Sequence, residues 1–366
     1  MKIGILTYHH TLNYGATLQA YALYKALEQL GHDVEIIDYR PRVAIKFYAK
    51  QLYPIWRSRY KFCFNQHFIQ NIIKFWKMRY FLFSKMKLSS NKFYSRKELK
   101  SFHNRYNAVI CGSDELWNLN SFRGFDPSFF LDFVDNKNTL KLSYAASFGN
   151  TESLMELKND IYKLINDFDV ISVRDSNSLR LVSECDRQAV KVLDPTFLAR
   201  YNDILVPPNI KKKYLLIYAT NLSVKQENFV KSVANTKNLI PISIGYYNKV
   251  AHYNFIGVSP EEWLGYFSQA EYVVTSFYHG TIFSLIFRKP FTVFTKTYKA
   301  HKVQDLLSHL GLEKRIFTDT DNAEFRKEYL FSNIYSDTFN DKLQKAIAAS
   351  KKYLFEVLSN QSTLSV

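Results

Sequence analysis

The stretch "KIGILTYHHTLNYGATLQAYALYKALEQLGHDVEIIDY" (2–39) decides the fold class. "KIGILTY" is a short apolar run of the kind a strand buried on both faces shows. "NYGATLQAYALYKALEQLG" then carries apolar residues at helical spacing, with Gly31 placed to end the helix in a left-handed cap. "DVEIIDY" is a second buried-strand run. A β-α-β order within so few residues implies parallel strands joined by a crossover helix. No GxGxxG lies between strand and helix, so a dinucleotide site is not expected here.

The pattern recurs downstream. Strand-like runs stand at "YNAVICG" (106–112), "KLSYAAS" (141–147), "VISVRD" (170–175) and "AVKVLDPTF" (189–197), with helices expected near 152–168 and after 175. "LARYNDILVPPNIKKK" has adjacent prolines and no period, which reads as a linker over 198–211. From "YLLIYAT" a second series begins, with helices over 223–237 and 259–270 and from 279, and strands at "LIPISIG", "EYVVTS" and "FTVF". "SPEEW" is a helix start in itself, with Ser259 as N-cap, Pro260 at the first helical position and Glu262 able to close a capping box. The expectation is an α/β protein of two Rossmann-like β/α domains, 1–197 and 212–340, followed by a C-terminal helical segment, 341–366. A chain of 366 residues, 47% of them hydrophobic, suffices for two such cores.

Composition narrows the function classes. No apolar run approaches the roughly 20 residues of a membrane-spanning helix, and "MKIGILTYHH" lacks a secretory pattern, so a cytoplasmic protein is expected. Cys63, Cys111 and Cys185 are too scattered for a disulfide framework or a zinc site. HExxH and GxSxG are both missing, and adjacent His9 and His10 are poorly placed to chelate one ion, so neither a metal nor a serine-hydrolase elbow is expected.

In parallel α/β sheets ligands bind beyond the carboxyl ends of the strands. Four polar groups of residues fall at such places. Asn13, Tyr14 and Gly15 lead into the first helix, as an anion site on its N–H groups or as a plain cap. Ser113, Asp114 and Trp117 follow the strand ending at Gly112; Asp114 could orient a hydroxyl with Trp117 as a sugar platform, or simply cap a turn. Arg174 leaves its strand as a bidentate clamp for carboxylate or phosphate, or as half of a structural ion pair, while Asp194 reads as a turn residue. Last, Ser276, His279, Gly280 and Thr281 join a strand to a helix, where the positive helix end suits a histidine in contact with a ligand and Gly280 would let the ligand approach the backbone.

The net charge of +16 is concentrated. Between Arg40 and Lys100 every Lys and Arg is opposed by a single acid, Glu98, and residues 41–100 interleave these cations with aromatics, as in "IIKFWKMRYFLF". This basic helical insert in the first domain fits an anionic membrane surface, a snorkelling face over the protein's own core, or nucleic acid. No nucleic-acid module accompanies it, so no nucleic-acid partner is expected.

Taken together, "MKIGILTYHHTLNYGATLQAYAL", "YNAVICGSDELWN", "YAASFG", "ISVRDSNS", "VLDPTF" and "SPEEWLGYFSQAEYVVTSFYHGTIFSLIFRKPF" resemble the polysaccharide pyruvyl transferase family. The resemblance spans residues 1 to about 295 and leaves out the insert and the C-terminal tail. It implies a GT-B-like fold with the site in the cleft between domains. It also implies transfer of pyruvate from phosphoenolpyruvate to two hydroxyls of one sugar, in a surface polysaccharide or its lipid-linked precursor, as a cyclic ketal, with no cofactor beyond the donor. Phosphoenolpyruvate brings about three negative charges, which assigns Arg174 and Asn13–Gly15 to binding, His279 to general acid or phosphate contact, and Asp114 to the sugar hydroxyl. Some members of the family carry an arginine two positions before the histidine. Phe277 stands there in this chain, with Arg288 or Lys289 as candidate substitutes. Expected partners are phosphoenolpyruvate, a lipid-linked oligosaccharide and an anionic membrane surface at the inner face of the cell membrane. A nucleotide-sugar glycosyltransferase of GT-B type and a non-enzymatic membrane-surface scaffold of polysaccharide assembly are the competing readings.

Overall fold

A computed structural model describes residues 1–52, 67–101, 106–135, 138–295, 300–319 and 334–359. Cys63 and the middle of the basic insert lie outside the described residues.

The first unit is built on a parallel sheet whose strands are β1 (Lys2–Leu6), β2 (Asp33–Tyr39), β3 (Leu88–Phe93), β4 (Ala108–Cys111), β5 (Leu140–Ala146), β6 (Val170–Val173) and β7 (Val190–Lys191), in the order β3-β2-β1-β4-β5-β6-β7. Helices α1 (Tyr14–Gln29), α2 (Arg42–Leu52), α3 (Phe68–Lys85), α4 (Arg96–Lys100), α5 (Lys158–Asn166) and α6 (Ser176–Ser183) connect them. Covering on both faces explains why β4 is buried at every position and β1 at all but its first. One core cluster joins Ile37, Val109, Trp117, Phe130, Phe148 and Leu181. The third strand, β3, lies inside the basic insert and carries little apolar pattern: only Ser89 and Phe93 of its six residues are buried.

The second unit repeats the plan with β8 (Tyr214–Tyr218), β9 (Ile240–Ile244), β10 (Tyr253–Phe255), β11 (Tyr272–Thr275), β12 (Phe291–Phe294) and β13 (Ile316–Phe317), ordered β10-β9-β8-β11-β12-β13 and all parallel. Its helices include α7 (Val224–Lys237), α8 (Pro260–Gln269), α9 (Tyr278–Ile286) and α10 (Ala300–Leu310). α8 starts as expected: Ser259 accepts from the Glu262 amide at 3.1 Å and the Glu262 side chain accepts from the Ser259 amide at 2.6 Å.

The chain passes between the units at Ala199/Arg200. Residues 198–211 do not hang free, because Val206 donates its amide to the Glu261 carbonyl at 2.9 Å and its own carbonyl lies where a side chain on Gly265 would be. Glycine at 265 lets this segment rest on α8. Two further segments are assigned differently from their sequence order. The described part of Leu52–Phe81, which includes most of α3, groups with the second unit although the insert interrupts the first. The last helix, α11 (Asp337–Ser359), groups with the first unit from Gln344 on, where Ser350 Oγ accepts from the Leu193 amide at 3.0 Å.

Candidate active site

Each sheet reverses its strand order once, between β1 and β4 in the first unit and between β8 and β11 in the second. The loops leaving those four strands flank the switch points, where ligands of open α/β sheets bind. The residues after β4 and β11 are the Ser113–Asp114 and Ser276–His279 groups.

In the first unit a buried polar network ties the strand ends together. Thr7, after β1, donates to the Ser113 carbonyl at 2.9 Å. Ser113 Oγ donates to Asp194 Oδ2 at 3.1 Å, Arg174 Nη1 donates to the same oxygen at 2.8 Å, and Thr196 donates to Oδ1 through its amide and hydroxyl. Asp194 is thus the counter-ion that lets Arg174 be buried. The Arg174 side chain is 1% exposed, so the structural ion pair weighed above is what the fold adopts, and the open clamp is not. Arg174 Nη2 also lies 4.0 Å from Asp114 Oδ1. Asp114 has φ 96°, a strained conformation for a residue with a side chain, held by Ser147 and Leu116 amides donating to its carbonyl. Its carboxylate stays partly exposed.

Two expectations about this unit are corrected. Trp117 is no sugar platform: it is 1% exposed, stacks on Phe130 at 5.2 Å and donates from Nε1 to the Phe129 carbonyl at 3.0 Å. The N-terminus of α1 does not offer its amides to an anion either. Asn13 Oδ1 accepts from Gly15 and Ala16 at 2.9 and 3.3 Å, and Tyr14 is fully buried, so this group is a cap.

A second constellation is not apparent from the sequence, where His9 and His10 read only as poorly placed metal ligands. His9 is buried with Nδ1 3.0 Å from the Thr7 carbonyl and Nε2 3.0 Å from Asp38 Oδ1, while Arg40 donates to both Asp38 oxygens at 2.6 and 2.7 Å. Burial raises the Asp38 carboxyl, but the His9 and Arg40 hydrogen bonds outweigh it and hold it down at about 2. Beside this triad a recess with about 300 Å³ of empty space, part of it open to solvent, is lined by Tyr8, His10, Arg40, Ala44 and Arg123. Arg123 packs its guanidinium over the Tyr8 ring at 3.8 Å. The legible signal is Asp38, the last acid of "DVEIIDY", two residues before Arg40.

In the second unit His279 lies in the first turn of α9 and is 8% exposed, with Tyr278 edge-on to its ring at 5.5 Å. Phe277 is the N-cap residue, and no side chain caps the helix. This end of α9 therefore differs from that of α1: its dipole faces the strand tips without a carbonyl or carboxylate of its own. Ser276 is partly buried and accepts from the Thr220 amide at 3.3 Å. Gly280 and Thr281 have other roles than those expected. A Cβ on Gly280 would come 2.0 Å from Thr275 Oγ1, so glycine there allows α9 to press on β11. Thr281 is fully buried and bonds back to the Phe277 carbonyl at 3.3 Å.

Arg288 and Lys289 follow the opposite end of α9, some nine residues or about 14 Å along the helix axis from His279. Arg288 donates to Asn340 Oδ1 at 2.5 Å and faces Tyr335, so neither residue restores a cation at Phe277. The cation that does reach this aromatic group comes from α3. Lys74, 4% exposed, donates to the Gly245 carbonyl at 3.1 Å and lies 4.6 Å from the centre of the Tyr246 ring, which stacks on Phe277 at 5.2 Å. Burial drives its ammonium down to about 7. Among the described residues no group of three or more His, Cys, Asp or Glu could hold a metal ion.

The family model of the polysaccharide pyruvyl transferases matches residues 13–296, a span that takes in Ser113–Asp114, Arg174 and Ser276–His279. The chain belongs to this family. No curated protein matches it. Among solved structures, one described as a UDP-N-acetylglucosamine 2-epimerase from Listeria monocytogenes is similar over 100% of this chain and 97% of its own, at 8% identity and a TM-score of 0.53. The UDP-GlcNAc 2-epimerase from Neisseria meningitidis, bound to UDP-GlcNAc, is similar over 98% of this chain and 100% of its own, at 10% identity and a TM-score of 0.52. At such identities these likenesses show the fold alone: this pyruvyl transferase family member carries the two β/α units of GT-B-type enzymes.

Proposed function

We propose that the protein transfers the pyruvyl group of phosphoenolpyruvate to two hydroxyls of one sugar in a polysaccharide precursor. Both hydroxyl oxygens bond to C2 of the donor and the C2–O bond to phosphate breaks. One hydroxyl proton ends on C3, which becomes a methyl group, and the other leaves with the phosphate. The observation that carries this reading is the family match across residues 13–296.

Within it, the residues take roles that their surroundings support. The helix end at His279 suits the phosphate, and the imidazole is the group able to deliver a proton to the departing oxygen or to C3. Asp114 is the partly exposed carboxylate that orients a sugar hydroxyl. Arg174 acts through Asp114 and Asp194, as a positioning residue. The acceptor is a lipid-linked oligosaccharide, met at an anionic membrane surface on the inner face of the cell membrane.

Incubation with phosphoenolpyruvate and a panel of free and lipid-linked glycans should release inorganic phosphate and yield a pyruvate ketal detectable by mass spectrometry. Absence of both with every glycan sinks the proposal. His279→Ala should abolish turnover with an unchanged circular dichroism spectrum. Thermal stabilisation by UDP- or GDP-sugars but not by phosphoenolpyruvate would favour nucleotide-sugar transfer instead.

A further inference from the structure

An ordinary surface helix turns its charges outward, but α3 does the reverse. Ile69, Ile73, Trp76, Tyr80 and Phe83 are 71%, 42%, 65%, 73% and 55% exposed. Their spacing of four and three residues gathers them within about 80° of arc at 100° per residue. On the opposite side Lys74, Met78, Phe81 and Leu82 are buried. The helix cations that would dilute the apolar face are spent elsewhere: Lys74 on the Gly245 carbonyl, Lys77 on Glu262 at 2.6 Å, and Arg79 buried with its guanidinium 4.9 Å from the centre of the Phe75 ring.

We infer that this stripe is a membrane-contact surface that seats α3 flat in the headgroup region of an anionic bilayer. Charge decides between a bilayer and a second copy of the chain. The stretch Arg40–Lys100 opposes its many Lys and Arg with Glu98 alone. Arg40, Lys77, Lys87, Arg96 and Lys100 pair with acids of other segments, and the positive surplus that remains makes two copies brought together here repel while an anionic surface attracts. Side-chain type points the same way. Trp and Tyr favour the membrane–water interface, whereas a helix–helix seam favours Leu, Ile and Val. A snorkelling face over the protein's own core is excluded for α3, since the apolar stripe is what points outward.

The inference rests on the membrane part of the function proposed above. Its test uses no phosphoenolpyruvate, so its failure leaves the transfer reaction untouched. Trp117 and Trp263 are buried, so in a Trp56→Phe background Trp76 reports the stripe by fluorescence. The full chain is mixed with vesicles of equal parts phosphatidylcholine and phosphatidylglycerol, or of phosphatidylcholine alone. Expected are flotation with the anionic vesicles, a blue shift of Trp76 emission, and weakening by added salt. In the full chain with native Trp56, the triple variant Ile73→Ser/Trp76→Ser/Tyr80→Ser should lose about tenfold or more in vesicle affinity, since binding scales with apolar area buried at the interface. Its unchanged melting temperature shows the fold is kept. Equal anionic-vesicle binding by that variant, or no flotation of the parent, overturns the inference. So does a dimer in sedimentation that the triple variant abolishes in the absence of vesicle binding, because a second copy would then own the stripe.

Discussion

At Gly280 a single missing methyl group sets the approach of α9 to β11, and with it the place of His279. A Cβ there would sit 2.0 Å from Thr275 Oγ1 and 2.8 Å from Thr275 Cβ, neither at the end of a flexible chain. Gly280→Ala should therefore destabilise the protein by about 1–3 kcal/mol, as overpacking does, despite the higher helix propensity of alanine; urea titration checks this. Lys74 gives a prediction with a pH signature. Burial lowers its folded value to about 7 against the usual 10.5, so between those pH values the unfolded chain binds more protons than the native one. Stability from this group must rise with pH through that window and flatten below pH of about 7. Replacing it in Lys74→Met should raise the melting temperature near pH 7 and remove that slope from the variant, so that its advantage over the parent shrinks as the pH rises from about 7 toward 10.5. A difference between variant and parent that does not change with pH would show that the ammonium is already well hydrated or paired.

At the scale of elements, what was legible in the sequence and what was not divides along physical lines. Strands buried on both faces, such as β1, β4 and β8, announce themselves as apolar runs, and helix starts with side-chain caps do the same. Ser259 and Glu262 were readable because the capping box is a local device; Ser259→Ala should cost about 0.5–2 kcal/mol, and a smaller loss in thermal melting would mean that Pro260 and packing already fix the helix start. β3 was hidden because an edge strand with three exposed positions in a row carries little apolar pattern. The site was legible as topology and only partly as chemistry. His279 and Asp114 could be found because strand-to-helix junctions are visible in periodicity. The burial of Trp117 among Phe130 and Phe148, and the pairing of Arg174 with Asp194, depend on long-range packing that no spacing encodes. The same holds for α3: its composition suggested a basic surface, yet which of its residues turn outward is decided by what the second unit buries.

Across the whole molecule, chain order and compact unit do not coincide. The first unit is completed by the last described helix, since α11 from Gln344 on belongs to it. Ser350 closes the Leu193 amide at the end of the sheet, and Leu354 and Leu358 are 4% and 2% exposed. Tyr144, in β5, is buried and donates to the Leu193 carbonyl at 3.3 Å, so the same short segment after β7 is held from both sides. Ending the chain after Leu343 would strip that support from β5, β6 and β7 while leaving the core of the second unit, around Leu215, Phe229 and Phe294, intact. Local stability is not uniform, and hydrogen exchange reads it segment by segment. In the truncated protein, peptides covering Leu140–Ala146 and Val170–Val173 should exchange faster, and those covering Tyr214–Tyr218 and Tyr272–Thr275 should keep their protection. Equal loss in both sheets would mean that the two units unfold as one cooperative body, and unchanged protection in the first would mean that α11 adds nothing to its stability.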